Sequence, residues 1–307
     1  MGFVSYKKII EENRKKTYIV LSIYMFIYIF IGLLVDVIIY DYGNLTESLN
    51  RLITFQNFPI ATVSLLVFGL LSIFISIKLF SRIQLSGEPY LEIKPDNKEF
   101  KFLYNIMEEL RISSRMKYSP KLYVIEADYM NAFASGWNEK NTMVAITTGL
   151  LNKLNREEIA AVLAHELTHI RNEDIKLTLV IGVTTNLMLF VVDWFVLMFL
   201  NGKSEGANKA KNILFILHFI LPIITILLQM WLSRSREYMA DSGAVELTRQ
   251  PEAMANALRK ISGDYKENKY EDTNPTRKAA YIFEPEDSFF STHPSIKNRI
   301  KKLIGKN

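Results

Sequence analysis

The chain of 307 residues contains no cysteine and only four histidines. The absence of cysteine excludes disulfide bonds, thiolate metal sites and cysteine nucleophiles. Any metal ion must therefore be held by histidine, aspartate or glutamate. The net charge of +5 is small for this length, and the sequence has no dense basic stripe with interleaved aromatic residues. We therefore expect no nucleic-acid partner.

Apolar residues nonetheless make up 49% of the chain, although its mean hydropathy is only +0.09. The two values together indicate long apolar segments joined to strongly polar ones. Four runs are long enough to cross a lipid bilayer, which takes roughly 20 apolar residues. These predicted spans are residues 18–40, 59–80, 177–200 and 213–231.

The basic residues predict how these spans are oriented. The first run is too long for a signal-peptide core, so we expect it to remain as a membrane anchor. Five basic residues precede it, whereas the connector 41–58 carries only Arg51. Because cytoplasmic segments are richer in Lys and Arg, the N terminus is expected in the cytoplasm. Residues 81–176 and 232–307 then face the cytoplasm, and the connector 201–212 faces outside despite its three lysines.

The spans divide the chain into four parts. Residues 1–80 hold the N-terminal segment with the first two spans, and residues 177–231 hold the third and fourth spans. Residues 81–176 and 232–307 together form one cytoplasmic domain, which the second pair of spans interrupts. The sequence thus predicts a multi-pass protein of the cytoplasmic membrane.

The stretch AVLAHELTHIRNED contains a pattern typical of metallopeptidases. His165 and His169 are four residues apart, so on a helix they lie on one face and can bind one ion together. Asn155 and Glu158 form a capping-box pattern that begins this helix. Glu166 lies about 100° further round the helix. In H-E-x-x-H proteins the two histidines bind zinc and the glutamate is the general base.

A catalytic zinc ion takes three protein ligands and leaves one position for water. A histidine at position 175 would complete one known arrangement, but the residue there is Ile175. The stretch SRSREYMAD offers Glu237, with Asp241 on the same helix face. We predict that Glu237 binds the ion and that Asp241 accepts the outer N–H of a ligand histidine. Two spans between His169 and Glu237 return the chain to one side of the membrane.

In combination, these segments resemble the HtpX-like membrane zinc metallopeptidases, relatives of the CAAX prenyl proteases. The resemblance covers most of the chain and rests on segments that occur in the family's order: NAFASG, VAITTGLL, VLAHELTHI, SRSREYMAD and STHPSIKNRI. It implies a zinc-dependent endopeptidase of the cytoplasmic membrane that acts in stress response and protein quality control. Its substrates would be damaged or misassembled membrane proteins.

Three segments, 120–128, 131–136 and 142–148, are predicted as short strands. The middle one resembles the edge strand that holds substrate in this family, to which an extended peptide can add as a further strand. Phe133 is also expected in the core. The residues implied in substrate binding are Asn131, Ala132, Phe133 and Ala134.

The resemblance also places His293 and Arg299 near the zinc ion. His293 could donate a hydrogen bond to the oxyanion that forms on the scissile carbonyl. Alternatively, His293 caps the last helix, where Pro294 suits the first turn. Arg299 could pair with an acidic group such as Asp241, or it could brace the loop of His293.

The predicted fold is an α-rich integral membrane protein with four transmembrane helices and a cytoplasmic α+β peptidase domain. This domain is of the zincin (gluzincin) type, contains a small sheet and binds one zinc ion per subunit. The predicted partners are the lipid bilayer and unfolded or membrane protein substrates; the oligomeric state stays open.

A CAAX-type prenyl protease is a second possibility, which the short chain with four spans disfavours. A third is a non-catalytic scaffold stabilised by metal, against which Glu166 argues because a closed structural site needs no base.

Overall fold

The computed structural model divides into two compact units. It describes residues 6–40, 45–176, 205–268 and 294–305, together with 179–180, 188, 190–191, 193–194 and 197. The first unit comprises Met1–Lys16, Leu79–Leu179 and Leu228–Asn307. The second unit comprises Thr17–Lys78 and Val180–Leu227.

Two helices among the described residues are long and apolar enough to cross a membrane. They lie in α1 (Tyr6–Ile39) and α3 (Ile60–Leu85), and the short amphipathic α2 (Leu45–Ile53) falls between them. Each candidate segment, Lys8–Ile39 and Ile60–Leu79, contains an apolar stretch of 18 residues with a mean hydropathy of 2.5. They contain the first two predicted spans almost entirely. Both helices extend beyond those spans, so α1 also includes the basic segment that precedes the first one.

A buried carboxylate joins α1 to the start of α3. Asp36 is fully buried and accepts hydrogen bonds from the N–H groups of Ala61 (2.8 Å) and Thr62 (2.9 Å) and from the Thr62 hydroxyl (2.7 Å). It therefore satisfies N–H groups in the first turn of α3, which have no partner within that helix. A Cβ on Gly32 would lie 2.4 Å from the Cα of Thr62, so the two backbones touch at this point.

The other two predicted spans stay predictions. The third, 177–200, lies mostly outside the described residues. The fourth, 213–231, lies within α7 (Glu205–Thr248), a continuous helix of 44 residues. This helix begins in the predicted outer connector and continues through the SRSREYMAD stretch.

The first unit contains a four-stranded mixed sheet with the strand order β1-β2-β4-β3. The strands are β1 (Tyr90–Ile93), β2 (Lys121–Ile125), β3 (Ala132–Asn138) and β4 (Asn141–Thr147). β2 and β4 are parallel, and the other two pairings are antiparallel. The three predicted strands are present, β1 was not predicted, and β3 lies at the edge of the sheet.

Helices cover this sheet and bury the apolar core. They are α4 (Lys101–Ser113), α5 (Thr148–Lys153), α6 (Arg156–Arg171), α8 (Pro251–Glu267) and α9 (Ile296–Ile304). α6 packs against β3, β4, α4 and α8, so eleven of its sixteen residues are buried. The predicted capping box is confirmed: Asn155 Oδ1 accepts from the Glu158 N–H, and Glu158 Oε2 accepts from the Asn155 N–H, both at 2.9 Å. These contacts fix the start of the helix that carries the histidines.

Candidate metal centre and active site

Three potential metal ligands converge on one point in the first unit. His165 and His169 extend from one face of α6, as their spacing predicts, and Glu237 extends from α7. The two histidine Nε2 atoms are 3.2 Å apart. The Glu237 oxygens lie 3.6 Å from Nε2 of His165 and 3.7 Å from Nε2 of His169. His165 is fully buried and Glu237 is 4% exposed, so water is largely excluded.

The spacing of these donor atoms fits a tetrahedral divalent ion. Zinc bonds of about 2.0–2.1 Å place neighbouring ligand atoms about 3.3–3.4 Å apart. The two Nε2 atoms are 3.2 Å apart, and each lies 3.6–3.7 Å from a different oxygen of Glu237, which is close to that value. Two imidazoles and one carboxylate are also the ligand set of many catalytic zinc sites, which keep the fourth position open.

Each histidine has its own carboxylate behind it. Asp241 Oδ1 lies 3.1 Å from Nδ1 of His165. The two Asp174 oxygens lie 3.0 and 3.1 Å from Nδ1 of His169. A carboxylate at Nδ1 holds the proton there, which leaves the Nε2 lone pair for an ion. Asp241 therefore lies close to Nδ1 of His165, and its predicted role of accepting the N–H stays a prediction. Asp174 is a partner that sequence reasoning missed.

Asp174 reaches His169 because the chain turns back at the end of α6. The helix ends with Asn172 as its C-cap, and Glu173 has a φ of +58°. The Asp174 N–H then points at the His169 carbonyl, at 3.3 Å. A left-handed residue other than glycine costs on the order of 1–3 kcal/mol, so its neighbours must hold it in place. An acidic residue just past the helix end was the only signal in the sequence.

Arg299 lies between two acidic residues of α7, Glu237 and Asp241. Its Nη2 and Nε donate to Asp241 at 2.7 and 2.9 Å, and its Nη1 lies 3.2 Å from Glu237 Oε2. The side chain is fully buried. Of the two roles considered for Arg299, the structure contains the pairing with Asp241. This fork of hydrogen bonds fixes the carboxylate that in turn orients His165.

His293 lies outside the described residues, so its predicted oxyanion role stays a prediction. Its alternative role as the cap of the last helix is wrong. The N-cap of α9 is Ser295, whose hydroxyl accepts a hydrogen bond from the Asn298 N–H at 3.4 Å.

Glu166 lies beside the histidines in a buried position and is 3% exposed. The backbone of Ala134 lies close enough to its carboxylate to lower its pKa. This contact places the main chain of the edge strand β3 next to the predicted general base. A peptide added along β3 would therefore pass close to Glu166.

The charged groups around the site favour the binding of a cation and shift the pKa values of its side chains. Burial raises the pKa of Glu166 to about 7, although His165 and His169 act in the opposite direction. Burial opposes a charge on His165, but Asp241 and Glu237 outweigh it and raise that pKa to about 9. The pKa of His169 is also raised, because Asp174 outweighs burial. Both imidazoles thus lie in a negative field, and Glu166 can exchange a proton near neutral pH.

The predicted substrate strand is present at the sheet edge, but its residues are covered. Phe133 is 1% exposed, as expected for a core residue, and Ala132 and Ala134 are 0% and 8% exposed. Within the described part of the chain, the buried Asn131 Nδ2 and Ser135 Oγ have no hydrogen-bond partner. Burying a polar atom without a hydrogen bond costs free energy. A bound peptide that reached these atoms could supply the missing hydrogen bonds. Substrate binding by this strand stays a prediction.

Comparison with known proteins shows similarity along nearly the whole chain. The model of peptidase family M48 matches residues 97–306. A protein named protease HtpX homolog from Helicobacter acinonychis (strain Sheeba) is 50% identical over 307 residues, which cover 98% of each chain. A homolog of the same name from Helicobacter pylori (strain J99) is 48% identical over 309 residues, covering 97% of this chain and 98% of the relative.

A solved structure has a similar fold. The crystal structure of Ste24p from S. mikatae superposes with a TM-score of 0.51 at 16% sequence identity. The match covers 91% of this chain and 66% of Ste24p. At this identity the likeness concerns the fold alone.

Proposed function

Because this chain belongs to peptidase family M48, we propose that it is a zinc endopeptidase that hydrolyses internal peptide bonds of unfolded or misassembled membrane proteins. The family and its HtpX relatives make the chain a membrane metalloprotease. We propose in addition that the ion is zinc, and we propose the substrates, the residue roles and the membrane topology. The proposal rests on one observation: His165, His169 and Glu237 lie together beside the buried Glu166.

His165, His169 and Glu237 would hold the zinc ion. When bound, zinc supplies a Lewis acid that polarises the scissile carbonyl and lowers the pKa of water. Asp241 and Asp174 keep the two imidazoles in the tautomer that binds a metal through Nε2. Arg299 holds Asp241 in place and balances part of the negative charge.

Glu166 is the proposed general base. Its carboxylate takes a proton from the attacking water and later gives it to the leaving amine. Burial raises the pKa of this carboxyl, which favours its taking up a proton from water. The nearby backbone of Ala134 would help to orient the carboxylate. His293 is the proposed donor to the oxyanion, a role that is worth about 10²–10³ in turnover.

The substrate is proposed to bind as an added strand along β3. Main-chain hydrogen bonds would hold it without regard to sequence, which suits an enzyme that removes many different damaged proteins. The small side chains of Ala132 and Ala134 allow a close approach. Asn131 and Ser135 supply buried polar atoms to which peptide groups could bind.

We further propose four membrane crossings with the site on the cytoplasmic side. The two apolar helices and the membrane relatives support a membrane location. A cytoplasmic site follows from the basic N-terminal segment and from the even number of predicted spans between His169 and Glu237.

One experiment tests the function directly. The full-length protein is purified in detergent and incubated with casein, with zinc, and with zinc plus a chelator. We expect fragments from internal cleavage with zinc and none with the chelator. A peptide that ends in a farnesylated cysteine tests the prenyl protease alternative. Cleavage of that peptide alone, or casein cleavage that survives the chelator, would contradict the proposal.

A further inference from the structure

We propose that the first turns of α1 position the metal site: Asn13 and Arg14 hold the turn after α6 so that Asp174 keeps His169 oriented. The inference rests on the proposed function, since His169 matters here as a metal ligand. It adds two residues, far from the H-E-x-x-H sequence, that act through the turn rather than on the substrate.

Two side chains of α1 bind consecutive residues of this turn. The Asn13 Nδ2 group donates to the Asn172 carbonyl at 3.0 Å, and Asn13 is only 1% exposed. Arg14 donates from Nε and Nη2 to the two oxygens of Glu173, both at 2.7 Å. These partners are 159 residues apart in sequence, yet they belong to the same compact unit.

Both contacts meet a specific need of the turn. The Asn172 carbonyl lies at the end of α6, where carbonyls have no partner within the helix. Glu173 is held in the left-handed region at φ +58°, which residues other than glycine seldom adopt. Its carboxylate is held by Arg14 and, at 2.7 Å, by Lys176. The side chain of Glu173 thus fixes a backbone conformation that its own preference opposes.

The next residue links the turn to the metal site. Asp174 is 1% exposed and contacts Nδ1 of His169 through both carboxylate oxygens. On its other side, Arg236 donates to the Asp174 carbonyl at 3.3 Å. If the turn relaxes, the carboxylate moves away from Nδ1 and the imidazole loses its fixed orientation. Asn13 and Arg14 are therefore positioning residues.

The alternative is that Asn13 and Arg14 only tether α1 and stabilise the fold. A tether would lower the melting temperature without changing how tightly a folded molecule binds metal. A positioning role predicts the opposite: weaker metal binding and slower turnover in a protein that still folds. Arg14 suits this comparison because its side chain is 54% exposed, so its loss leaves no cavity.

The test compares Arg14→Gln and Asn13→Ala with Lys15→Gln in the full-length protein. Lys15 is the exposed neighbour on the same helix, so this control removes the same charge without touching the turn. Zinc affinity is measured by competition with a chelator, kcat and KM are measured with casein, and melting is measured without metal. We expect zinc affinity and kcat to fall roughly three- to tenfold, less than the 10–100-fold typical for losing a direct partner of a ligand. KM should match that of Lys15→Gln for both variants. The melting temperature of Arg14→Gln should match it as well, whereas Asn13→Ala loses a buried hydrogen bond and should melt somewhat lower.

A charge reversal provides the rescue. Arg14→Glu and Glu173→Arg should each weaken zinc binding, and the double variant should recover part of the loss because the ion pair forms again. Zinc affinities of Arg14→Gln and Asn13→Ala equal to that of Lys15→Gln would overturn the inference. So would losses that follow the melting temperature alone. If the wild type itself neither binds zinc nor cleaves casein, the proposed function fails as well, which separates the two results.

Discussion

Glu166 and Glu237 are both buried glutamates beside the same two histidines, yet their contacts give them different roles. Glu237 faces Nε2 of both imidazoles and lies 3.2 Å from Arg299. A guanidinium at that distance offsets part of the negative charge that the carboxylate brings to the metal site. Glu166 instead has a pKa raised by burial to about 7. It can therefore carry a proton during the reaction, which is what a base needs.

Replacing Glu166 by Gln tests the base. The amide keeps the size of the side chain but cannot accept the proton, so cleavage of casein should fall by about 10²–10⁴-fold. Zinc content should stay at the wild-type level, because Glu166 is not among the three converging donors. The exposed Glu157→Gln on the same helix is the control and should cleave normally. Normal cleavage by Glu166→Gln would assign the base elsewhere.

Asp174→Asn tests the partner that the sequence did not reveal. An amide can present its N–H to Nδ1 of His169, which then favours the proton on Nε2, where the metal should bind. We expect zinc affinity to fall about 10–100-fold. The exposed Asp128→Asn is a matched control. Zinc affinities that agree between the two variants would remove Asp174 from the metal site.

Arg299→Leu tests the buried charges. The substitution leaves Glu237 and Asp241 in the interior without their guanidinium, since Arg299 is fully buried between them. Removing one partner of a buried ion pair costs about 3–5 kcal/mol. The metal-free variant should melt well below the wild type, while Lys301→Leu, at an exposed neighbouring position, should melt close to it. Equal melting temperatures would show that Arg299 is not needed for stability.

At the scale of whole elements, the metal site depends on how closely α7 lies against α6. A Cβ on Gly243 would lie 2.4 Å from Cγ2 and 2.6 Å from Oγ1 of Thr168, so the helices touch through this glycine. Thr168 lies on α6 between the positions of Glu166 and Ile170, next to His169. The separation of the two helices at this contact therefore sets the distance between Glu237 and the histidines.

Gly243→Ala should push α7 away from α6 and weaken zinc binding, even though alanine is the better helix former of the two residues. Thr168→Ala removes the two nearest atoms and leaves only Cβ, at 3.0 Å, so the double variant should recover part of the zinc affinity. Gly263→Ala on α8 is the control, because a Cβ there meets nothing within 4 Å. Zinc affinity is measured by chelator competition in all four proteins. A double variant that stays as weak as Gly243→Ala would mean that the clash is not the cause.

The helical part of the site could be predicted because it follows a period. Residues four apart lie on the same face of a helix, as His165 and His169 do. The same rule placed Asp241 one turn after Glu237. Asp174 could not be predicted in this way, because the chain leaves the helix at Asn172 and the periodicity ends there. The Asn13 and Arg14 contacts join parts of the chain that no local pattern relates.

Elements were predictable to a similar degree. Three strands follow from β-forming segments between turns, whereas β1 (Tyr90–Ile93) is only four residues long, mostly exposed, and has no distinctive pattern. Helices α1, α3 and α7 all extend beyond the predicted spans. A run of apolar residues predicts the part of a helix that suits a bilayer, but the backbone hydrogen bonds of the helix can continue past it. For the first two spans, the sequence therefore predicted the apolar stretch better than the ends of the helix.

At the scale of the whole molecule, the number of membrane crossings decides whether the two parts of the metal site share one side. Among the described residues, helices α1 and α3 are long and apolar enough for two crossings. Two further crossings, or none, between His169 and Glu237 would both keep the ligands together. These two topologies differ in one connector only, residues 201–212, which four crossings place outside and two crossings place inside.

The absence of cysteine makes this difference measurable, because single cysteines can be introduced without background. With four crossings, Asn57→Cys and Asn208→Cys should react with a membrane-impermeant maleimide in intact cells. Lys98→Cys and Glu252→Cys should react only after the membrane is opened. Asn208 is the decisive position, since it lies in the 201–212 connector, and the cysteine-free wild type controls for other proteins. Each variant must still cleave casein, so that the labelled protein is the folded one. Protection of Asn208→Cys together with labelling of Asn57→Cys would reduce the protein to two crossings, with α7 entirely on the side of the active site.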